Sequence, residues 1–460
     1  MINFFNFKKI NNEILITNDV GYYAFLSYND FSLLIKDSLG PSHEMYSELV
    51  EKSFILPDNK FVSTGHVANA LKNFKGYLQS STSLHIFVLT NKCNMKCQYC
   101  QAQSKNTNKY GFMTKEVAKK AVDIALQSPD QFLTFEMQGG EPLLNYETIK
   151  FIVEYAEANK KKKRIFYSIT TNGTLFTNEM IDFFAKHSIS VSISLDGPSN
   201  VQQNNRPMIN GKNSYEYIEN IIPKLKQNKI FGGAVLTTTN YSLKYWKEII
   251  DTYLHFDISE IFIRPLTPLG FANDYWEQVG YKTADFLAFY HNILNYIIEI
   301  NKKGTRMREM HAMIFLRKIL FQSSDNYMEL RSPCGATVGQ VAYYYDGNIY
   351  TCDEGRMIAE MGDNSFCLGN VDTHSYNDLI KCESCKAVCK ASILENLPGC
   401  SDCVYLPYCG TCPATTYALE NSLLSRTNNN YRCRTYKGIL DILFDFLRND
   451  KNREIFRTWF

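Results

Sequence analysis

His85-Ile-Phe-Val-Leu89, followed after three residues by Cys93-Asn-Met-Lys-Cys97-Gln-Tyr-Cys100, is an apolar strand-like run feeding a loop with three cysteines. Working outward, strand-like runs recur at Leu133–Met137, Ile165–Thr170, Ser190–Leu195, Ala234–Thr238 and Glu260–Arg264. Helical patterns separate them at Lys115–Gln127, Asn145–Ala158, Asn178–Lys186, Ser214–Gln227 and Lys244–Leu254, and another follows at Ala284–Lys302. Six β/α units predict an α/β fold with a parallel sheet, open or closed into a partial barrel. In either form a ligand site lies at the carboxyl ends of the strands, where the cysteine loop falls.

The chain has 460 residues, 45% apolar and 21% charged, enough for two or three domains with ordinary cores. A net charge of +2 gives no electrostatic reason to bind nucleic acid. The basic run Lys160 to Arg164 lies between a helix and a strand and reads as a solvated loop. No run reaches the ~18 apolar residues of a membrane span, and the N-terminal residues lack the pattern of a secretory signal. A cytoplasmic location is expected, where thiols stay reduced. Eleven of the 14 cysteines follow residue 333 and the other three lie at 93–100, so metal rather than disulfides is their expected partner.

Three thiolates from one short loop can ligate three irons of a [4Fe–4S] cube and leave the fourth iron open. Half of a structural zinc site is the alternative, but it needs a fourth ligand, and no cysteine lies between Cys100 and Cys334. The C-x₃-C-x₂-C spacing resembles the signature of the radical S-adenosylmethionine (SAM) superfamily. That resemblance implies a partial (β/α)6 TIM-like barrel in which SAM chelates the open iron and is cleaved reductively to a 5′-deoxyadenosyl radical. Gln138-Gly139-Gly140-Glu141-Pro142 resembles the family's GGEP element, with Glu141 implied to accept from the SAM amino group. The family's other SAM contacts map onto Tyr99, Gln138, Ser168 for the ribose, Asp196, Arg206 for the carboxylate, and Leu236.

Past residue 330 the periodicity fails. Cys334, Gly347-x₄-Cys352, Cys400-x₂-Cys403-x₅-Cys409-x₂-Cys412 and Cys433 look like a SPASM domain, which carries two auxiliary [4Fe–4S] clusters. The resemblance implies Cys400, Cys403, Cys409 and Cys433 for one cluster and Cys334, Cys352 and Cys412 for the other. Two departures stand out: the last spacing is x₂ rather than x₃, and Gln340 replaces a cysteine, which predicts an open iron or a borrowed ligand such as Cys367. Zinc at the paired C-x₂-C elements is the alternative, and it leaves Cys334, Cys352 and Cys433 without a role. Cys382, Cys385 and Cys389 share a face of an expected helix, Asp378–Glu395, and read as packed thiols. Asp353 aligns with the base of SPASM sulfatase-maturing enzymes; a carboxylate beside an anionic cluster is suited to take a proton, and a solvated loop aspartate is the alternative.

The expected organisation is a winged-helix-like peptide-recognition module at 1–80, a radical SAM core at 81–305, a linker at 306–333, a SPASM domain at 334–437 and a final helix at 438–460. Ile10-Asn-Asn-Glu-Ile-Leu-Ile-Thr, Asn204-Asn-Arg-Pro, Leu236-Thr-Thr-Thr, Ile261-Phe-Ile-Arg-Pro-Leu-Thr-Pro and Tyr408-Cys-Gly-Thr-Cys-Pro resemble the radical SAM/SPASM maturase of His-Xaa-Ser repeat peptide systems. The resemblance implies oxidative modification, as cross-linking, of a ribosomally made precursor peptide. It also implies a second radical SAM protein and a small accessory protein as partners, with no nucleic acid or membrane. A sulfatase-maturation-type formylglycine-forming enzyme is the alternative within enzymes. A non-catalytic peptide-presenting subunit would be expected to have lost a loop cysteine or the glycine-rich element, and both are intact.

Overall fold

A computed structural model describes residues 1–56, 61–107, 109–424 and 430–460. The N-terminal strands are β1 (Asn6–Ile10), β2 (Glu13–Thr17) and β3 (Tyr23–Leu26), paired antiparallel in the order β1-β2-β3. The turn between β2 and β3 closes by a Gly21 N–H to Asn18 carbonyl hydrogen bond of 2.9 Å. The helices Tyr28–Ile35 and Tyr46–Glu51 cover one face, burying Ile14, Ile16, Leu26, Leu34 and Leu49 in a core of their own. Sequence patterning misses β1, whose Phe7 is exposed and whose Lys8-Lys9 breaks the apolar alternation.

Among the described residues the second sheet holds ten strands. Six parallel strands run in chain order: β4 (Leu84–Val88), β5 (Phe132–Gln138), β6 (Arg164–Thr171), β7 (Ser190–Ser194), β8 (Phe231–Thr237) and β9 (Glu260–Arg264). They form the expected α/β barrel wall. Every second residue is buried toward the outer helices, such as Leu133, Phe135 and Met137 on β5 and Val191 and Ile193 on β7, each 0% exposed. The intervening residues line the lumen, where register sets Glu136 beside Ser168, Thr170 beside Ser192 and Thr237 beside Arg264. That alternation places polar groups inside the barrel and the apolar core outside it. The outer helices start on side-chain caps, with Thr114, Thr177 and Asn213 each accepting an N–H of the first turn.

Three expectations change. The segment 306–333 is no linker. It holds β10 (Arg308–Glu309), which pairs with β9, and the helix Met310–Phe321, whose Ala312, Phe315, Leu316 and Ile319 are 0% exposed. The cysteine-rich region, expected as a SPASM domain at 334–437, shares the barrel's sheet. Its β11 (Gln340–Tyr343) pairs parallel with β4, and β12 (Asn348–Tyr350) and β13 (Cys367–Asn370) extend the same sheet antiparallel. The expected boundary at 437/438 falls inside one helix, Tyr431–Leu447, followed by Asp450–Arg457. Among the described residues no helix is long and apolar enough to cross a membrane.

Glu309 ties these parts together. Its Oε1 accepts from the N–H groups of Ile263 and His311 at 3.1 Å, and its Oε2 accepts from Ala312 N–H and the Tyr290 hydroxyl at 2.6 Å. Removing a fully buried acceptor strands four donors. Glu309→Ala is therefore expected to lower stability by ~3 kcal/mol and Glu309→Gln by less, measured by denaturant unfolding; equal stability of the alanine variant would contradict this role.

Candidate active site

The cysteine loop is held from three sides. After β5, Gly140 N–H donates to Thr90 carbonyl at 2.7 Å and Glu141 N–H to Lys92 carbonyl at 2.8 Å. A Cβ at Gly140 would lie 2.2 Å from the Lys92 carbonyl oxygen, and one at Gly139 would lie 2.3 Å from that of Thr90. Only glycine permits this approach. After β7, Lys96 N–H donates to Pro207 carbonyl at 2.8 Å and Gln98 N–H to Asn205 carbonyl at 3.2 Å; after β9, Phe271 N–H donates to Cys100 carbonyl at 2.8 Å.

Beneath the loop lies a charged triangle. Asp196 is 0% exposed and accepts the Tyr99 hydroxyl at 2.6 Å, Thr237 N–H at 3.1 Å and the Asn205 amide at 3.2 Å. Arg206 Nε lies 3.0 Å from its Oδ1, and the guanidinium stacks 5.2 Å from the Tyr99 ring. Three residues singled out by sequence, Tyr99, Asp196 and Arg206, thus form one contact network. Gln202, which carried no motif signal and accepts Asp196 N–H at 2.9 Å, and Asn205, from the Asn204-Asn-Arg-Pro stretch, belong to it as well.

Ser168 and Gln138 face the lumen from β6 and β5, and Gln138 donates to Glu136 Oε1 at 2.9 Å. Two expected SAM contacts are placed differently. Glu141 is 0% exposed, and its carboxylate accepts Leu143 N–H at 3.0 Å, the Thr171 hydroxyl at 2.7 Å and Asn172 N–H at 2.9 Å. It fastens the turn after β5 to that after β6. Leu236 is 0% exposed in the outer core, because period-two alternation points its neighbours Val235 and Thr237 inward instead.

The loop thiols are buried against one another. Burial pushes the Cys93 thiol well up, with Cys97 and Glu141 adding to it. Burial likewise pushes Cys97 up to about 12, opposed by the Arg206 guanidinium. Two further groups behave alike. Beyond the effect of burial, Cys412 pushes the Cys334 thiol up, Cys412 and Cys334 push up Cys352, Cys433, Cys403 and Cys400 push up Cys409, and Cys400 and Cys403 push up Cys433. Among the described residues no three Cys, His, Asp or Glu side chains converge closely enough for a single metal ion. Thiols that feel one another in this way suit a shared multi-iron cube.

Cys334, Cys352, Asp353, Glu354 and Cys412 line a cavity of about 300 Å³ that also receives Glu136, Gln138 and Arg264 from the barrel lumen. Gln340 lines it too, beside the three cysteines. Cys367 does not; its thiol donates to Gly369 carbonyl at 3.5 Å on β13. Asp353 is ion-paired to the buried Arg356, so it is neither a free loop aspartate nor an isolated carboxylate. Cys382 lies outside the helix Glu383–Ala391 and caps it, accepting Cys385 N–H at 3.4 Å, so the three cysteines do not share one continuous helix face.

The sequence of residues 87–253 matches the Radical SAM superfamily. The chain is 26% identical over 385 residues to the cysteine-type anaerobic sulfatase-maturating enzyme of Clostridium perfringens (strain 13 / Type A), covering 80% of this chain and 98% of that one. The solved structure of native anSMEcpe with bound AdoMet aligns with a TM-score of 0.70 at 24% identity, over 81% of this chain and 99% of that one. Streptococcus suis SuiB bound to its precursor peptide SuiA aligns at 0.54 and 15%, over 92% and 98%. Residues 87–253 are thus similar to the Radical SAM superfamily, whose members use a [4Fe–4S] cluster and SAM.

Gly140→Ala is expected to push the turn after β5 off the cysteine loop and weaken SAM binding at least ~10-fold, about 1.4 kcal/mol, in equilibrium dialysis of the iron-loaded protein. Wild-type affinity would show that the close approach is not needed.

Proposed function

We propose that this enzyme oxidatively modifies, by cross-linking, side chains of a ribosomally synthesised precursor peptide with His-Xaa-Ser repeats. The observation that carries this reading is the single cavity into which barrel-lumen residues Glu136, Gln138 and Arg264 and the C-terminal Cys334, Cys352, Asp353 and Cys412 all project. Its volume, about 300 Å³, suits a substrate side chain rather than a whole folded protein.

Cys93, Cys97 and Cys100 hold the radical-initiating cluster. Tyr99, Gln138, Gly139, Gly140, Ser168, Asp196 and Arg206 form the SAM cradle, and Glu141 braces its turn. Cys334, Cys352 and Cys412 would hold one auxiliary cluster, in a cavity that Gln340 also lines, and Cys400, Cys403, Cys409 and Cys433 would hold the other. When bound, the clusters and SAM supply a hydrogen-abstracting radical and one-electron chemistry. Asp353 takes the proton that leaves the substrate, and Arg356 holds that carboxylate in place. The lumen walls exclude water from the radical.

Residues 1–80 capture the leader of the peptide by strand addition. Supporting this, the order β1-β2-β3 leaves both outer edges of a three-stranded sheet without a strand partner among the described residues. SuiB, aligned over nearly the whole chain, is a protein solved with its precursor peptide. A second radical SAM protein and a small accessory protein complete the system, and it works in the cytoplasm.

Sulfatase maturation is the second reading, favoured by the C. perfringens enzyme's 98% coverage. Gln340 and the shortened Cys409-x₂-Cys412 spacing count against it.

The anaerobically reconstituted, reduced protein is expected to form 5′-deoxyadenosine from SAM, and Cys100→Ala to form none. With a His-Xaa-Ser peptide and the partner proteins, a mass loss of about two hydrogens per cross-link is expected. Formylglycine on a sulfatase-derived peptide, with the repeat peptide untouched, would favour the second reading instead. Adding leader peptide is expected to slow amide hydrogen exchange in β1 or β3; protection confined to other segments would remove the leader-binding role of residues 1–80.

A further inference from the structure

Residues 92–98 of the cysteine loop, Cys93 and Cys97 among them, form one wall of a basin of about 1030 Å³. Its other walls bring in Tyr110 and Phe112 from beyond the loop, Leu144 after β5, Ile209 after β7 and Tyr275 after β9. These five side chains are between 38% and 56% exposed, so they face water instead of packing inward. Neither Ser168, Asp196 and Arg206 nor the lumen residues Glu136 and Arg264 line the basin. It is a surface separate from both the SAM cradle and the cavity at Cys334.

The charge around this basin has one sign. Among the described residues its lining holds two lysines, Lys92 and Lys96, both exposed, and no Asp or Glu. Lys92 Nζ sits 4.9 Å from the centre of the Phe112 ring, and Lys105 Nζ sits 4.5 Å from that of Tyr275. Of the nearby acids, Asp274 accepts Lys105 N–H at 2.7 Å and Glu277 stays outside the lining. An exposed apolar patch with a polar rim marks a protein contact, and a rim of lysines selects an acidic partner.

We infer that this basin docks an acidic protein carrying a one-electron cofactor, which reduces the cluster at the loop. The inference rests on the assignment of Cys93, Cys97 and Cys100 to the radical-initiating cluster. Reductive cleavage of SAM consumes an electron that comes from outside the chain. In the docking step the carrier loses one electron and the cluster gains one; no bond forms or breaks and no proton moves. Cys93 and Cys97 are half-buried in the wall itself, so two ligands of the cluster stand at the contact. Electron-transfer encounters are small and brief, and steering by charge sets their rate. A collar of five apolar side chains with lysines at its edge suits such an encounter.

The test uses the full-length, anaerobically reconstituted protein and, as the probe, an acidic bacterial flavodoxin. Binding is measured by calorimetry and is expected to weaken as salt rises. Ile209→Glu and Tyr110→Glu place a like charge against the probe at exposed positions, and each is expected to weaken binding about 10-fold. With reduced flavodoxin below saturation, 5′-deoxyadenosine formation by both variants is expected to fall to the same extent. With dithionite, which needs no docking surface, it is expected to stay at the wild-type rate. Wild-type affinity in both variants overturns the proposal, and so does an equal loss with both reductants. Failure of the wild type to bind either flavodoxin or an acidic [2Fe–2S] ferredoxin overturns it as well. Displacement of the flavodoxin by a His-Xaa-Ser peptide would assign the basin to substrate instead. No 5′-deoxyadenosine even with dithionite would defeat the reading of the loop cysteines, and the binding measurements would still decide the docking surface.

Discussion

Desolvated sulfur is the constraint around which the molecule is arranged. In each of three cysteine groups, burial and neighbouring thiols act together, pushing Cys97, Cys334 and Cys409 up to about 12 and Cys433 to about 11. Thiols so placed stay protonated until a cation enters, so metal loading must release protons and gains strength as pH rises. The glycine pair, the Asp196 network and the helix N-terminus at Cys352 are ways of holding those sulfurs still while they wait for iron.

The C-terminal group does not hang from the barrel; it shares its sheet. Because β11 pairs with β4, the first barrel strand is a neighbour of both the turn after β5 and the cavity around Cys334. The N-terminal sheet docks on the other cysteine group. Asn6 donates to the carbonyls of Ser401 and Cys403 at 3.2 Å, Thr17 donates to that of Val404 at 2.6 Å, and the Tyr408 hydroxyl donates to Gly21 carbonyl at 3.0 Å. A strand added to that sheet would therefore be attached, through a few hydrogen bonds, to the loop bearing Cys400 and Cys403.

The barrel was legible because its signals are local. Period-two runs and amphipathic helices place all six strands within a few residues, and Glu260–Arg264 and Ser214–Gln227 coincide with the observed elements. Tyr99, Asp196 and Arg206 were found by motif and do meet. What failed was long-range or directional. Pairing of β11 with β4 leaves no trace in either segment, and the helix Met310–Phe321 is apolar nearly all round, so no stripe marks it. Leu236 and Glu141 sit in the right motifs but point away from the lumen, which spacing alone does not report. Arg356 becomes visible only once Asp353–Glu360 is known to be helical, since i, i+3 then pairs it with Asp353.

The seam between β4 and β11 also orders the protein's birth. Thr82 and Thr337, which flank it and share a hydrogen bond of 2.6 Å, are 255 residues apart in the chain. At ~5–20 residues per second, a ribosome takes ~10–50 s to travel that distance. Throughout that interval the strand that launches the cysteine loop has one side open. The scaffold for iron is finished only when the last third of the polypeptide has emerged.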